Sequence, residues 1–295
     1  MVRRIMLILS WALGLAVVLH VYFHVQSLQE FKEAHNHPFV LVGDSHADDV
    51  PWQDKPRFSG PAQDLFSSLK MVESLAATKD DRSDIQGIVF TFWPNKFSPL
   101  AEDRLSGNTQ EDNWGQMAMG RVAPLMTWTD LWRSDVPLKF RLSMAWHTLQ
   151  CKKTHAWWDV ACEEQAVSEG YREGLGERMT SNNWWAEASV APDLFKSLVE
   201  SVVAEGWHLV VVENPLHPCY YEQVNQEALQ GYEAMMEEVG RHQSGLVHRL
   251  AMGRDNQNHE WFRDYHHLTC LGEAHVKERL DALLESLAST SLSED

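Results

Sequence analysis

Three short stretches, Pro38 to Gly43, Ile85 to Trp93 and Leu209 to Val212, are near-continuous apolar runs of strand length. An alternating pattern would leave one face of a strand in water, whereas a continuous run is buried on both faces. The segments between them have helical spacing. From Gly60 to Ala77, apolar residues fall at 62, 65, 66, 69, 72, 75 and 76, and Ser59-Gly60-Pro61 supplies a start with proline in the first turn. Pro192 to Glu205, Glu222 to Val239 and Gly272 to Leu287 read as further helices, and Leu246 to Leu250 as a short fourth strand. Strands that alternate with helices in this way predict an α/β fold, a mostly parallel sheet sandwiched by helices. In such sheets ligands bind beyond the carboxyl ends of the strands.

The N-terminus obeys a different rule. Ile5 to Val25 is apolar apart from Ser10, Gly14, His20 and His24, and Arg3 and Arg4 precede it. As a helix it spans about 31 Å, one hydrocarbon core. Positive charge stays on the cytoplasmic side, so the rest of the chain is expected outside the cytoplasm, on the periplasmic side of an inner membrane or at the cell surface. A cleaved signal peptide is the rival reading. Beyond Leu19 the chain runs His20-Val21-Tyr22-Phe23-His24, without the small residues that cleavage needs. The expected organisation is therefore a transmembrane anchor over 1–25, a polar tether over 26–37 and one catalytic domain over 38–290.

Cys151, Cys162, Cys219 and Cys270 all follow the anchor. An even count in an oxidising compartment predicts disulfides, and four cysteines allow three pairings. Cys151 with Cys162 and Cys219 with Cys270 is the expected pairing, with four buried thiols as the other possibility. Between 97 and 190 periodicity is weak, and nine of the thirteen tryptophans fall from Trp93 to Trp185. This stretch reads as a helical insertion whose aromatics pack a small core of their own, in preference to a platform for sugar rings. The net charge of −17 excludes a duplex nucleic-acid binder, which needs a basic face to displace counterions.

Candidate chemistry lies at the ends of strands. Gly43-Asp44-Ser45 follows the first apolar run directly. A serine on a strand-to-helix turn stands exposed above the sheet edge, and becomes a nucleophile when a base takes its proton. Asp264 and His267, three apart in Asp264-Tyr265-His266-His267, meet on one local turn, where the carboxylate fixes the imidazole tautomer. His266 is the neighbouring candidate base, but lacks that spacing. Asp44, His46, His266 and the Glu213-Asn214-Pro215 stretch are expected to line the cleft. No cofactor or metal is called for.

The pairing of these two blocks resembles the SGNH (GDSL-like) hydrolase superfamily, whose first block is a Gly-Asp-Ser turn and whose last is D-x-x-H. The stretch from Phe262 to Leu268 followed by Gly272 is similar to the last block of membrane-anchored envelope members. The likeness is at the level of motifs and covers 38–105 and 206–287. It implies an SGNH/flavodoxin-like fold, with Ser45 as nucleophile, His267 as general base and Asp264 as its orienting partner. It also implies an oxyanion hole from the Ser45 N–H, Gly60 of the second block and Asn95 of the third. The third block departs from the family's G-x-N, reading Trp93-Pro94-Asn95, and Asn214 is the second choice of donor. By the same resemblance, the function is a serine esterase or O-acyltransferase on envelope or extracellular carbohydrate. A multi-span membrane acyltransferase is then the expected partner.

Two other functions compete. A metal-dependent phosphoesterase would use Asp44-Ser45-His46 as a D-x-H block. It would also need G-D-x-x-D and G-N-H, and Gly107-Asn108 is followed by Thr109. A non-catalytic carbohydrate-binding or assembly protein on the same fold is the third reading.

Overall fold

The computed structural model describes residues 2–53, 55–60, 63–106, 125–127, 129–134, 136–149, 190–218, 226–242, 245–252, 258–264 and 266–291. Five strands form one sheet: β1 (Phe39–Gly43), β2 (Arg57–Ser59), β3 (Gly87–Phe92), β4 (His208–Glu213) and β5 (Val247–Ala251). Their order is β2-β1-β3-β4-β5 and every pairing is parallel. The expected α/β architecture is present. β2 gives no apolar run in the sequence, because it is a three-residue edge strand.

Both faces of the sheet are covered at its centre, which is why β1, β3 and β4 are largely apolar. Val40, Val42, Ile88, Phe90, Phe92, Leu209 and Val211 face one core. That core is shared with helices α2 (Leu65–Thr78), α5 (Ala191–Ala204) and α6 (Gln226–His242). Leu41, Val89, Val210 and Val212 face the other, under α7 (Cys270–Ser291). Adjacent residues point to opposite faces of a strand, so each run feeds two cores at once.

The helix expected from Gly60 begins later. Asp64 is its cap, accepting from the Ser67 N–H at 2.6 Å, and Leu65 is its first residue. The aspartate satisfies a free terminal N–H, which a proline side chain, having no acceptor, cannot do. Gly60 lies in a turn instead, its carbonyl accepting from the Gln63 N–H.

α1 (Val2–Ala34) runs well past the expected end of the anchor. Residues 26–34, read from the sequence as a tether, are its last turns and belong to the domain. Phe31 is fully buried and stacks on Phe58 with ring centroids 4.3 Å apart. Just beyond, His35 meets the Leu75 carbonyl at 3.0 Å and Thr78 at 3.1 Å. Three apolar residues, Leu28, Phe31 and Ala34, in a polar stretch gave too short a pattern to separate a docked helix end from a linker. Among the described residues no helix is long and apolar enough to cross a membrane. Met6, Leu7, Trp11, Leu15, Val18 and Val21 of α1 are nonetheless exposed.

The Trp-rich stretch is described in part. α3 (Pro99–Leu105) leaves the sheet, and Glu102 accepts from the N–H groups of Val190 and Ala191 at 3.1 and 2.7 Å. The exit from the sheet and the return to it are thereby pinned together. α4 (Leu138–Leu149) lies beside α2, where Phe140 meets Phe66 edge-on and Asp130 pairs with Lys70 at 2.9 Å. Trp93 is buried and Trp132 exposed. The remaining tryptophan side chains of this stretch lie outside the described residues.

Candidate active site

β1 and β3 are the central pair at which the strand order changes direction, and in a 2-1-3-4-5 sheet that crevice is the ligand site. Ser45 leaves the end of β1 there. Gly43 lets β3 approach closely here, since a Cβ on it would stand 1.9 Å from Thr91 Oγ1. A short 3-10 turn, Ser45–Ala47, follows, and Asp44 caps it by accepting from the His46 N–H at 3.0 Å.

The Asp44 carboxylate is buried and holds four donors. Oδ1 also accepts from His46 Nδ1 at 3.0 Å, and Oδ2 from Trp93 Nε1 at 3.0 Å and Lys96 Nζ at 2.8 Å. Burial alone would raise its pKa, but Lys96 and His46 hold it well below the usual carboxylate range. Asp44, expected as a cleft-lining residue, is thus the post to which the Ser45 turn is fixed.

The last block folds as a tight loop. Phe262 and Leu268 form an antiparallel bridge, and the Arg263 N–H donates to the His267 carbonyl at 3.1 Å. Within the loop Asp264 Oδ1 accepts from the N–H groups of His266 and His267 at 2.8 and 2.7 Å. Gly272 is needed behind it, because a Cβ there would lie 2.5 Å from the Trp261 carbonyl. α7 starts at Cys270, two residues before the expected glycine. Cys270 is disulfide-bonded. Cys151, Cys162 and Cys219 lie outside the described residues.

The two blocks meet. His267 Nε2 lies 3.0 Å from Ser45 Oγ, and His267 Nδ1 lies 2.6 Å from Asp264 Oδ2. An ionised carboxylate can only accept, so Nδ1 carries the hydrogen and Nε2 turns its lone pair to the hydroxyl. Ser45, Asp264 and His267 are partly exposed, within reach of a substrate. Burial lowers the His267 pKa, but its bond to Asp264 and the charges of Asp49 and Asp264 outweigh that and raise it. Asp264 is pushed up by burial and pulled further down by the two histidines.

The other expected residues fall as follows. Asn95 starts the turn after β3 and Gly60 follows β2, so the two flank the end of β1 on either side. Asn95 Oδ1 is buried with no hydrogen-bond partner among the described residues. Asn214 donates to the His46 carbonyl at 2.9 Å, so one amide hydrogen supports the turn instead of facing a substrate. Glu213 ends β4 and is buried. Its carboxylate is held bidentately by Arg249 of β5. His46 is buried, its ring 4.4 Å from Trp93, 4.8 Å from His266 and 5.2 Å from His267. Burial lowers the pKa of His46, and burial with His267 lowers that of His266, so both are neutral imidazoles.

Lys96 and Asp49 escaped the sequence reading. Asp49 is wholly buried and accepts from Arg263 at 3.3 Å. Burial pushes its carboxyl up to about 8, against the pull of His267 and Arg263. An acidic residue four after Ser45 carries no signal of its own, because an Asp48-Asp49 pair usually marks a solvated turn.

No family model matches the chain, and no curated protein matches it.

Proposed function

We propose that the chain is a serine-dependent acyl-ester hydrolase or O-acyltransferase of the SGNH type, acting on envelope or extracellular carbohydrate. The observation that carries the reading is the continuous Ser45–His267–Asp264 relay at the switch point of the sheet. Ser45 Oγ attacks the acyl carbonyl as its proton passes to His267 Nε2, and Asp264 stabilises the imidazolium. The oxyanion is met by the Ser45 N–H, first in its turn and without an intrahelical acceptor. Gly60 and Asn95 are the assigned companions. Collapse expels the alcohol, which takes the proton from His267, and leaves an acyl group on Ser45. Water or a sugar hydroxyl then attacks the acyl-enzyme with His267 as base, regenerating the serine.

The exposed apolar flank of α1 and the 21-residue run from Ile5 to Val25 support a membrane anchor with the domain outside the cytoplasm. A multi-span acyltransferase in the same membrane would then be the acyl donor.

A fluorophosphonate probe tests the chemistry. The full-length chain should be labelled at Ser45 and lose its turnover of an activated acyl ester. Ser45→Ala should not be labelled and should turn over more slowly by a factor of about 10³ or more. A Ser45→Ala variant of full activity, or loss of activity on chelation with no labelling, would overturn the reading.

A further inference from the structure

We infer that His46, His266 and His267 form a binding site for one divalent transition-metal ion, such as zinc, which switches the serine chemistry off. One ring nitrogen of each lies within 4.8 Å of those of the other two. His46 Nε2 is buried and has no hydrogen-bond partner among the described residues. A buried bare lone pair is costly in a pure packing role, and here it stands beside two other imidazoles.

The surroundings have the form of a metal site. His46 Nδ1 is held by the Asp44 carboxylate at 3.0 Å and His267 Nδ1 by the Asp264 carboxylate at 2.6 Å. Each of these bonds fixes the tautomer that leaves Nε2 as the donor atom, the second-shell arrangement usual for metal-ligating histidines. The two carboxylates, Asp44 buried and Asp264 partly exposed, also offset the charge of a dication. His266, its ring 3.9 Å from that of His267, supplies the third imidazole. Imidazole donors suit zinc and copper, and leave magnesium and calcium unbound. Zinc–nitrogen bonds of about 2.0–2.1 Å place tetrahedral donors about 3.4 Å apart, so rotation of the rings must close the widest gap by about 1.4 Å. Water, or Ser45 Oγ, which lies 3.0 Å from His267 Nε2, can complete the tetrahedron.

An ion at this site takes the Nε2 lone pair that would receive the Ser45 proton. No bond is made or broken in the switch beyond coordination, and removal of the ion restores the base. The inhibition rests on the serine reading, whereas the binding does not.

Binding is measured first on full-length Ser45→Ala, by zinc calorimetry and by the visible bands of added cobalt. One ion per chain is expected, with affinity at least about tenfold weaker in His46→Ala and His266→Ala. X-ray absorption of the zinc-loaded wild-type chain should count three imidazole nitrogens, whether or not the variants fold. On the wild type, zinc should abolish turnover of an activated ester and EDTA should restore it. Absence of one-to-one binding, a coordination shell without three imidazoles, or active enzyme at saturating zinc would overturn the inference. Zinc bound by a chain that turns over no ester would support the metal site and count against the acyl chemistry.

Discussion

Arg263 donates to Asp49 at 3.3 Å, and so ties the loop that holds Asp264 and His267 to the turn that holds Ser45. The contact joins positions 214 residues apart in sequence. It also puts a second carboxyl group, after Asp264, beside the candidate base, and the Asp49 charge helps to raise the His267 pKa.

The first prediction is a pH profile. His267 accepts the Ser45 proton only when neutral, and its pKa lies above the ordinary value of about 6.5. kcat/KM should therefore rise with pH through that raised value and be lost below it. Asp49, pushed up to about 8, titrates with His267 as a pair. Asp49→Asn removes a charge that favours imidazolium and leaves Arg263 opposing it. The acid limb should move to lower pH, and a limb that stays in place would disprove the coupling.

Asp264→Asn should keep the fold and lose rate. An amide at this position can donate to Nδ1, which puts the imidazole hydrogen on Nε2 and leaves no lone pair there for the Ser45 proton. The expected loss in kcat is about 10³–10⁴-fold, with KM for an activated ester little changed. Steady-state kinetics on the purified variant reads both constants, and a loss below tenfold would rule out the orienting role.

Gly43→Ala should destabilise the domain by about 1–3 kcal/mol, because its new methyl would sit 1.9 Å from Thr91 Oγ1 between two paired strands. Thr91→Ala in the same chain should recover part of that. Denaturant midpoints of the single and double variants give the comparison, and no recovery would place the clash elsewhere.

Lys96→Met should be more damaging. Lys96 is the cation 2.8 Å from the buried Asp44 carboxylate, and it also donates to the Gln63 carbonyl. Removing one partner of a buried pair costs about 3–5 kcal/mol. Asp44→Asn in addition should offset part of that loss, and a double variant no more stable than Lys96→Met would show that the charge is not what costs.

Much of this molecule is legible along the chain. The apolar runs at β1, β3 and β4 show burial on both faces, and so a helix-covered parallel sheet, because a strand's side chains alternate between faces. Ser45 at the end of the first run and Asp264 three before His267 mark the two ends of the relay, since local spacing fixes local geometry. Residues 26–34 misled for the opposite reason: Phe31 and Ala34 are apolar positions in a polar segment, and only the groove over Phe58 makes them core. Asp44, Lys96, Asp49 and Arg263 were invisible as a set. Each is a charged residue of a kind that normally faces water, and its role exists only as a pairing across strands that the chain order keeps far apart. The sequence alone determined the parallel α/β class and the candidate residues Ser45, Asp264 and His267, because these follow from period and neighbour. The tertiary structure alone decided which charges are buried together, because that free energy belongs to the contact and to neither residue.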